Sequence, residues 1–254
     1  MTDLVRFDTS AGIATITFDS PHNRNALSSG LLKGLVEALD SSREDPAVRG
    51  VVLTGTGTTF CSGADLNDPP GHGKSLSLPE LLTTIWTFPK PVIVRLNGHV
   101  RAGGTGLVAA ADVSIAPAAA TFAFSEVRIG VAPAIIAVVC ARRMTPRALS
   151  RYMLTGEVFD AATAAGCGLI TAAVPDDGLD AAVDQVLAGV RLAEPTALRT
   201  TKQLLVDLPT LSLADGFALT EPLSESLFSS PAAAEGIRAF KEKRAPSWAV
   251  AGDA

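Results

Sequence analysis

The run PVIVRLNGHVRAGGTGLVAAA, residues 91–111, holds three successive patterns. Pro91 to Leu96 is a short continuous apolar stretch that suits a buried strand. Asn97 to Gly103 is a glycine-bearing turn, and Gly104 to Ala111 is a helix-like segment of small residues. A strand that feeds a helix through a turn is half of a parallel crossover. Outward from it the pattern repeats: Val48 to Thr54 (VRGVVLT) is a second buried-strand candidate, Val113 to Ala116 a third, and Leu78 to Phe88 reads as a helix. Strands alternating with helices predict an α/β layout.

Upstream, Val5–Phe7 and Ile13–Phe18 flank Gly12 as an opening hairpin. Ser28 and Ser29 precede a helix whose apolar face is Leu31, Leu32, Leu35, Val36 and Leu39. From about Thr155 the chain turns helical, with candidates over 161–165, 180–192, 197–206, 213–227 and 232–243. Long closing helices with few strands beside them bring apolar faces that dock elsewhere in an assembly. The polar, Gly- and Pro-rich segment from Asn67 to Pro79 has no periodicity and reads as a lid or pocket rim, or equally as a solvent-exposed loop.

The 254 residues are 47% hydrophobic, 19% charged and 5% aromatic, which predicts a packed core built on Ala, Val, Leu and Ile. A formal net charge of -5 argues against a nucleic-acid surface. Cys61, Cys140 and Cys167 form no C-x-x-C pair, and His22, His72 and His99 have no H-x-x-x-H spacing, so neither a zinc site nor a disulfide framework is expected. The stretch from Ile129 to Ala141 is interrupted by Gly130 and Pro133 and is too short to span a bilayer. The opening residues, with Asp3 and Arg6, show no basic-then-apolar pattern, so no signal sequence is expected. A soluble, reduced, cytoplasmic protein with no membrane partner is expected.

Gly55-Thr56-Gly57 does not continue as a dinucleotide fingerprint, because Phe60 stands where the third glycine belongs. There is no Walker lysine and no G-x-S-x-G elbow. Two other glycine-bearing stretches remain: Phe60 to Leu66 (FCSGADL), and Asn97 to Leu107. Small residues let backbone approach a ligand closely, and N–H groups at a helix N-terminus stabilise an oxyanion. Composition alone reads both as tight turns with no chemistry.

Taken in order, these stretches resemble the crotonase superfamily, also called the enoyl-CoA hydratase/isomerase family. The resemblance runs through Asn25-Ala26-Leu27, Phe60 to Leu66, Lys90-Pro91-Val92 with Asn97-Gly98, and Ala102 to Asp112. It continues through Phe122 to Gly130 (FAFSEVRIG), Leu154 to Glu157, Gly168-Leu169-Ile170, and Glu235 to Phe240 with Glu242-Lys243-Arg244. It implies a crotonase-like spiral β-β-α core carrying an acyl-CoA site over residues 1–190. It also implies a C-terminal helical trimerisation region over 191–254, assembling as a trimer or a dimer of trimers. The implied substrate is an acyl-CoA thioester, with no separate cofactor because coenzyme A is part of the substrate.

In that family two backbone amides polarise the thioester carbonyl, and they map here onto Ala64 and Gly103. Ala64, Asp65, Leu66 and Asn67 match the strip along which pantetheine and adenine lie. Ala26 belongs to the same binding set. Arg24, just before it, matches a contact for CoA phosphate, although an exposed Arg beside a turn is equally a solvated charge. Family hydratases carry two glutamates. The later one is Glu126, in Ser125-Glu126-Val127-Arg128-Ile129-Gly130; the earlier position is Gly106, which has no side chain to activate water.

A lone Glu among Phe122, Phe124, Val127 and Ile129 is either an acid–base group with a raised pKa or a surface partner of Arg128. Asp112, at the helix end, reads as structural. His99 and Arg101 either meet a polar acyl group or serve the helix start or a subunit contact. The reaction implied is hydration across the 2,3 double bond of an enoyl-CoA through an oxyanion-stabilised enolate, with Glu126 protonating C2. Δ3–Δ2 enoyl-CoA isomerisation and a non-catalytic acyl-CoA-binding protein are the alternatives. Gly106 with Gly103-Gly104 and Ala132-Pro133-Ala134 looks like the bacterial subgroup of 3-methylglutaconyl-CoA-hydratase-like members that work with a single catalytic Glu. Gly106 is further expected to make room for a bulky or branched acyl group.

Overall fold

The computed structural model describes residues 3–68 and 77–252, so the greater part of the lid or rim segment read over 67–79 lies outside the described residues. The chain opens with an antiparallel hairpin of β1 (Val5–Ser10) and β2 (Ile13–Phe18), Val5 opposite Phe18. Next comes α1 (Ser29–Glu44), where Ser28 caps the helix by accepting the Leu31 N–H and Leu31, Leu35, Ala38 and Leu39 form the buried face.

A repeated unit of two strands and a helix then builds the core. Its members are β3 (Gly50–Gly55), β4 (Thr59–Cys61) and α2 (Leu78–Trp86); β5 (Val92–Arg95), β6 (His99–Arg101) and α3 (Gly103–Ala110); and β7 (Val113–Pro117), β8 (Thr121–Ala123) and α4 (Ala134–Cys140). After α5 (Pro146–Thr155), β9 (Phe159–Asp160), α6 (Ala161–Gly166) and β10 (Ala172–Val174), the chain ends in α7 (Leu179–Leu192), α8 (Pro195–Asp207), α9 (Leu213–Phe228) and α10 (Pro231–Glu242). This is the α/β, β-β-α architecture expected, with its C-terminal helical region present.

The first strand of each unit joins a six-stranded sheet ordered β1-β2-β3-β5-β7-β10, parallel except at the opening hairpin. The second strand joins a smaller sheet ordered β4-β6-β8-β9. Sequence periodicity does not reveal the smaller sheet, because its strands are two or three residues long and present no countable alternation. Nor does it separate α4 from its apolar run or anticipate α5.

The large sheet is covered on one face by α7, where Leu179, Val183, Leu187 and Val190 pack on Ile13, Val52, Ile93 and Ile115. The main core lies on the other side and takes in α1, α2, α3 and α4. Every residue of α3 is buried, so its run of Gly, Thr, Leu, Val and Ala carries no charge. By contrast α9 has no buried residue, and Leu213, Phe217, Phe228 and Phe240 are 79%, 64%, 75% and 86% exposed.

One buried ion pair ties the helical region to the core. Lys202 of α8 is 6% exposed and donates to Asp112 Oδ2 (2.7 Å) and Lys90 O (3.0 Å), while Asp112 also accepts the Val92 N–H at 2.7 Å. Burial pulls the Lys202 pKa down, and the Asp112 carboxylate opposes it. The structural reading of Asp112 at the helix end agrees with these contacts. Removing one partner strands a buried charge. Asp112→Ala is therefore expected to cost about 3 kcal/mol in urea unfolding, the low end for buried pairs because Asp112 keeps 24% exposure. Adding Lys202→Met should recover part of that loss.

Candidate active site

The site is built from two backbone segments that meet. Asn25 and Asn97 hold the turn that leads from the large sheet into β4: Asn25 Nδ2 donates to Thr56 O (3.1 Å) and Thr59 O (2.8 Å), and Asn97 Nδ2 to Gly57 O (2.9 Å). That fixes where Cys61 and Gly63 emerge. Gly63 sits at φ +95°, and a Cβ there would fall 2.6 Å from Ala102 Cβ and 3.4 Å from Gly103 N. Only glycine lets the two turns seat on one another.

Ala102 itself lies at φ 46°, ψ −124°, outside the regions an L-residue prefers. It is held there from both sides. Its N–H donates to Ala123 O (3.0 Å), and its carbonyl accepts both the Thr105 N–H (2.9 Å) and the Thr105 hydroxyl (2.7 Å). The next residue, Gly103, opens α3, so its N–H belongs to the first-turn donors that have no acceptor within the helix.

Ala64 reaches a similar state by another route. Leu27 bridges it in parallel fashion, its N–H donating to Gly63 O (2.7 Å) and its carbonyl accepting the Asp65 N–H (3.3 Å). In such a bridge the middle residue's own N–H faces away from the partner strand. Ala64 is exposed while Gly63 beneath it is buried. Two backbone donors, Ala64 and Gly103, thus flank the Gly63–Ala102 contact.

Glu126 lies in a single 3-10 turn, Ser125–Ile129, three residues beyond the Ala123 carbonyl that holds Ala102. Its Oε2 is buried with no hydrogen-bond partner among the described residues. Arg128, the alternative surface partner, instead donates to Thr155 O (3.3 Å). Burial raises the Glu126 pKa. Burial pushes the Cys140 thiol up to about 12, with a smaller contribution from the Glu126 charge, and its Sγ is 3.9 Å from Thr105 O. Cys140 thus lies within reach of both the Glu126 charge and the Thr105 carbonyl in the first turn of α3.

The remaining sequence-derived positions divide. Asp65 is ordered through Asn23 Nδ2 (3.2 Å), a partner that sequence reasoning missed, and accepts the Asn67 N–H (2.9 Å). Leu66 and Asn67 are exposed, Ala26 is buried beside them, and Arg24 is exposed at φ 58°. Arg101 is committed to the smaller sheet, donating to Val100 O, Thr121 O and Thr121 Oγ1, and His99 Nδ1 lies 3.0 Å from that hydroxyl. Those two belong to the sheet. Among the described residues no group of three or more His, Cys, Asp or Glu could hold a metal ion.

The expectation that Gly106 leaves room is corrected. A Cβ at Gly106 would lie 2.6 Å from Ile136 Cγ2 and 3.4 Å from Leu82 Cδ1, so the space is filled by hydrocarbon from α4 and α2. Nothing in local spacing points to Ile136, which is thirty positions downstream on a different element.

The raised Glu126 pKa carries a signed consequence for stability. A carboxyl that ionises later in the fold than in the unfolded chain contributes its stability fully below the ordinary carboxyl range. That contribution is lost as pH rises through the folded value. Glu126→Gln stays neutral throughout. Thermal melts should show it more stable than the parent at about pH 8, with the advantage fading towards about pH 4.

Three comparisons bear on this site. A family model described as enoyl-CoA hydratase/isomerase matches residues 8–250. The 2,3-dehydroadipyl-CoA hydratase of Escherichia coli is 30% identical over 93% of this chain and 94% of its own. Among solved structures, an enoyl-CoA hydratase from Mycobacterium smegmatis superposes with a TM-score of 0.89 at 30% identity, covering 96% of this chain and 98% of the other. Another, from Mycobacterium avium, is 42% identical with a TM-score of 0.73, covering 98% and 100%. With a family model matched over residues 8–250 and a fold shared along nearly its whole length, the chain belongs to the enoyl-CoA hydratase/isomerase family.

Proposed function

We propose that this chain is an enoyl-CoA hydratase, adding water across the 2,3 double bond of an enoyl-CoA thioester. The observation that carries the reading is the seating of Gly63 on Ala102–Gly103, which flanks one contact with two backbone donors, in a chain whose half-buried Glu126 has an Oε2 without a hydrogen-bond partner among the described residues. The thioester oxygen accepts from the Ala64 and Gly103 N–H groups. As water oxygen bonds to C3, the π pair moves through C2 and C1 onto that oxygen, where the two donors stabilise the charge. Glu126 delivers its proton to C2, and the proton released by the attacking water returns to the Glu126 carboxylate. A carboxyl whose pKa burial has raised retains that proton closer to neutrality.

Residues 1–190 form the acyl-CoA-binding core in this reading, with Ala26, Asp65, Leu66, Asn67 and Arg24 along the coenzyme strip. The coenzyme enters as part of the substrate and no separate cofactor is invoked. The glycine at 106 and Ala132-Pro133-Ala134 support a reading near the 3-methylglutaconyl-CoA-hydratase-like subgroup with one catalytic Glu. No helix among the described residues is long and apolar enough to cross a membrane, and the three cysteines are free and buried, which fits the cytoplasm. The exposed apolar side chains of α9 and α10 support a trimer or a dimer of trimers built through residues 191–254. Light scattering should return a trimeric or hexameric mass, and an active monomer contradicts the assembly.

The kinetic test is Glu126→Gln. Turnover should fall by about 10²- to 10⁴-fold while acyl-CoA affinity is retained. Undiminished turnover overturns the role. A lone carboxyl also suits Δ3–Δ2 isomerisation, in which one group removes a proton at C2 and returns it at C4. Hydroxyacyl-CoA as product identifies hydration, and conversion of 3-enoyl- to 2-enoyl-CoA identifies the isomerase. A non-catalytic binder shows neither product and no exchange at C2 in deuterated water.

A further inference from the structure

We infer that Ile136 of α4 is the residue that holds this site to a single carboxyl, by filling the volume that any side chain at position 106 would enter. The geometry comes from three elements. Gly103 and Gly106 lie one turn apart on the face of α3 that looks towards α2. A Cβ at 103 would meet Leu78 Cδ2 at 3.7 Å, and one at 106 would meet Leu82 Cδ1 at 3.4 Å. From the other side, Ile136 closes over 106, its Cγ2 at 2.6 Å and its Cβ at 3.2 Å from that added atom. Ile136 is only 2% exposed, so it has no open side to swing into. A separate pocket of about 390 Å³ lies between α2 and α4, lined by Leu82, Trp86 and Val139 among others; neither Gly106 nor Ile136 lines it.

Gly106 and Ile136 are therefore one device. A glycine without an isoleucine over it would leave a void facing the acyl site. An isoleucine over any larger residue would overpack α3 against α4. With both in place, the position one turn beyond Gly103 is dry hydrocarbon, and proton delivery and water positioning both fall to Glu126. This last step rests on the hydratase reading; the packing claim does not.

The test is a double-mutant cycle with two readouts. Gly→Ala in a helix interior ordinarily stabilises. Here Gly106→Ala should lower the melting temperature of the parent, and at least half of that loss should vanish in an Ile136→Ala background. A Gly106→Ala variant at or above the parent's melting temperature, or the same loss in both backgrounds, overturns the inference. For the chemistry, Gly106→Glu alone should reduce crotonyl-CoA hydration. Gly106→Glu with Ile136→Ala should exceed Ile136→Ala alone by about tenfold and add a second carboxyl titration to the pH profile of kcat/KM. A folded double variant with no second titration also overturns it, as does a Gly106→Glu single variant that outperforms the parent. If the parent hydrates no enoyl-CoA while the thermal coupling persists, the hydratase reading fails and the packing of Ile136 over Gly106 stands.

Discussion

The approach of Gly63 to Ala102 and Gly103 is the constraint on which the rest of the site depends. A hypothetical Cβ 2.6 Å from Ala102 Cβ means that the two turns are at backbone contact, with no room for a side chain between them. Each turn is braced from behind. Asn25 and Asn97 hold the loop before β4, and the carbonyl of Ala123 with the hydroxyl of Thr105 hold Ala102 at positive φ. Strain at Ala102 is tolerated because neighbours over-determine it, and the result is a Gly103 amide at the open start of a wholly buried helix.

Around that contact the molecule separates charge from hydrocarbon. Arg101 and His99 are adjacent in sequence to the donor turn, yet their polar atoms are taken up by Thr121 on the neighbouring strand. Lys202 and Asp112 satisfy one another at the far end of α3. Glu126, by contrast, keeps a buried carboxyl oxygen without a hydrogen-bond partner among the described residues. An unsatisfied carboxyl oxygen in apolar surroundings is costly to a fold, and the hydratase proposed above would have substrate complete its hydrogen bonding.

The distribution of burial follows the same logic at larger scale. Every residue of the helix that carries Gly103 is buried, whereas α9 has no fully buried residue and leaves Leu213 and Phe217 exposed. A helix of that composition gains little by remaining solvated, since each exposed aliphatic or aromatic side chain forgoes the free energy of leaving water. The donor turn thus leads into a wholly buried helix, while the C-terminal helices leave large apolar side chains exposed.

The sequence by itself determined the alternation of strands and helices, because buried strands such as Val92–Arg95 and amphipathic helices such as Ser29–Glu44 carry local periodic signals. It also marked the small-residue turns at Gly63 and Gly103 and singled out Glu126, since residue type alone says where backbone can come close and where a carboxyl sits among apolar neighbours. It did not contain the smaller sheet in readable form, because strands of two or three residues are specified by their partners and by nothing periodic in themselves. Nor could it tell that Arg128 leaves Glu126 unpaired, that Asn23 orders Asp65, or that Gly106 is a notch filled by Ile136. Those facts depend on which atoms meet across elements 27 to 42 positions apart, and only the packing of α2, α3 and α4 against one another decides which side chain takes each volume.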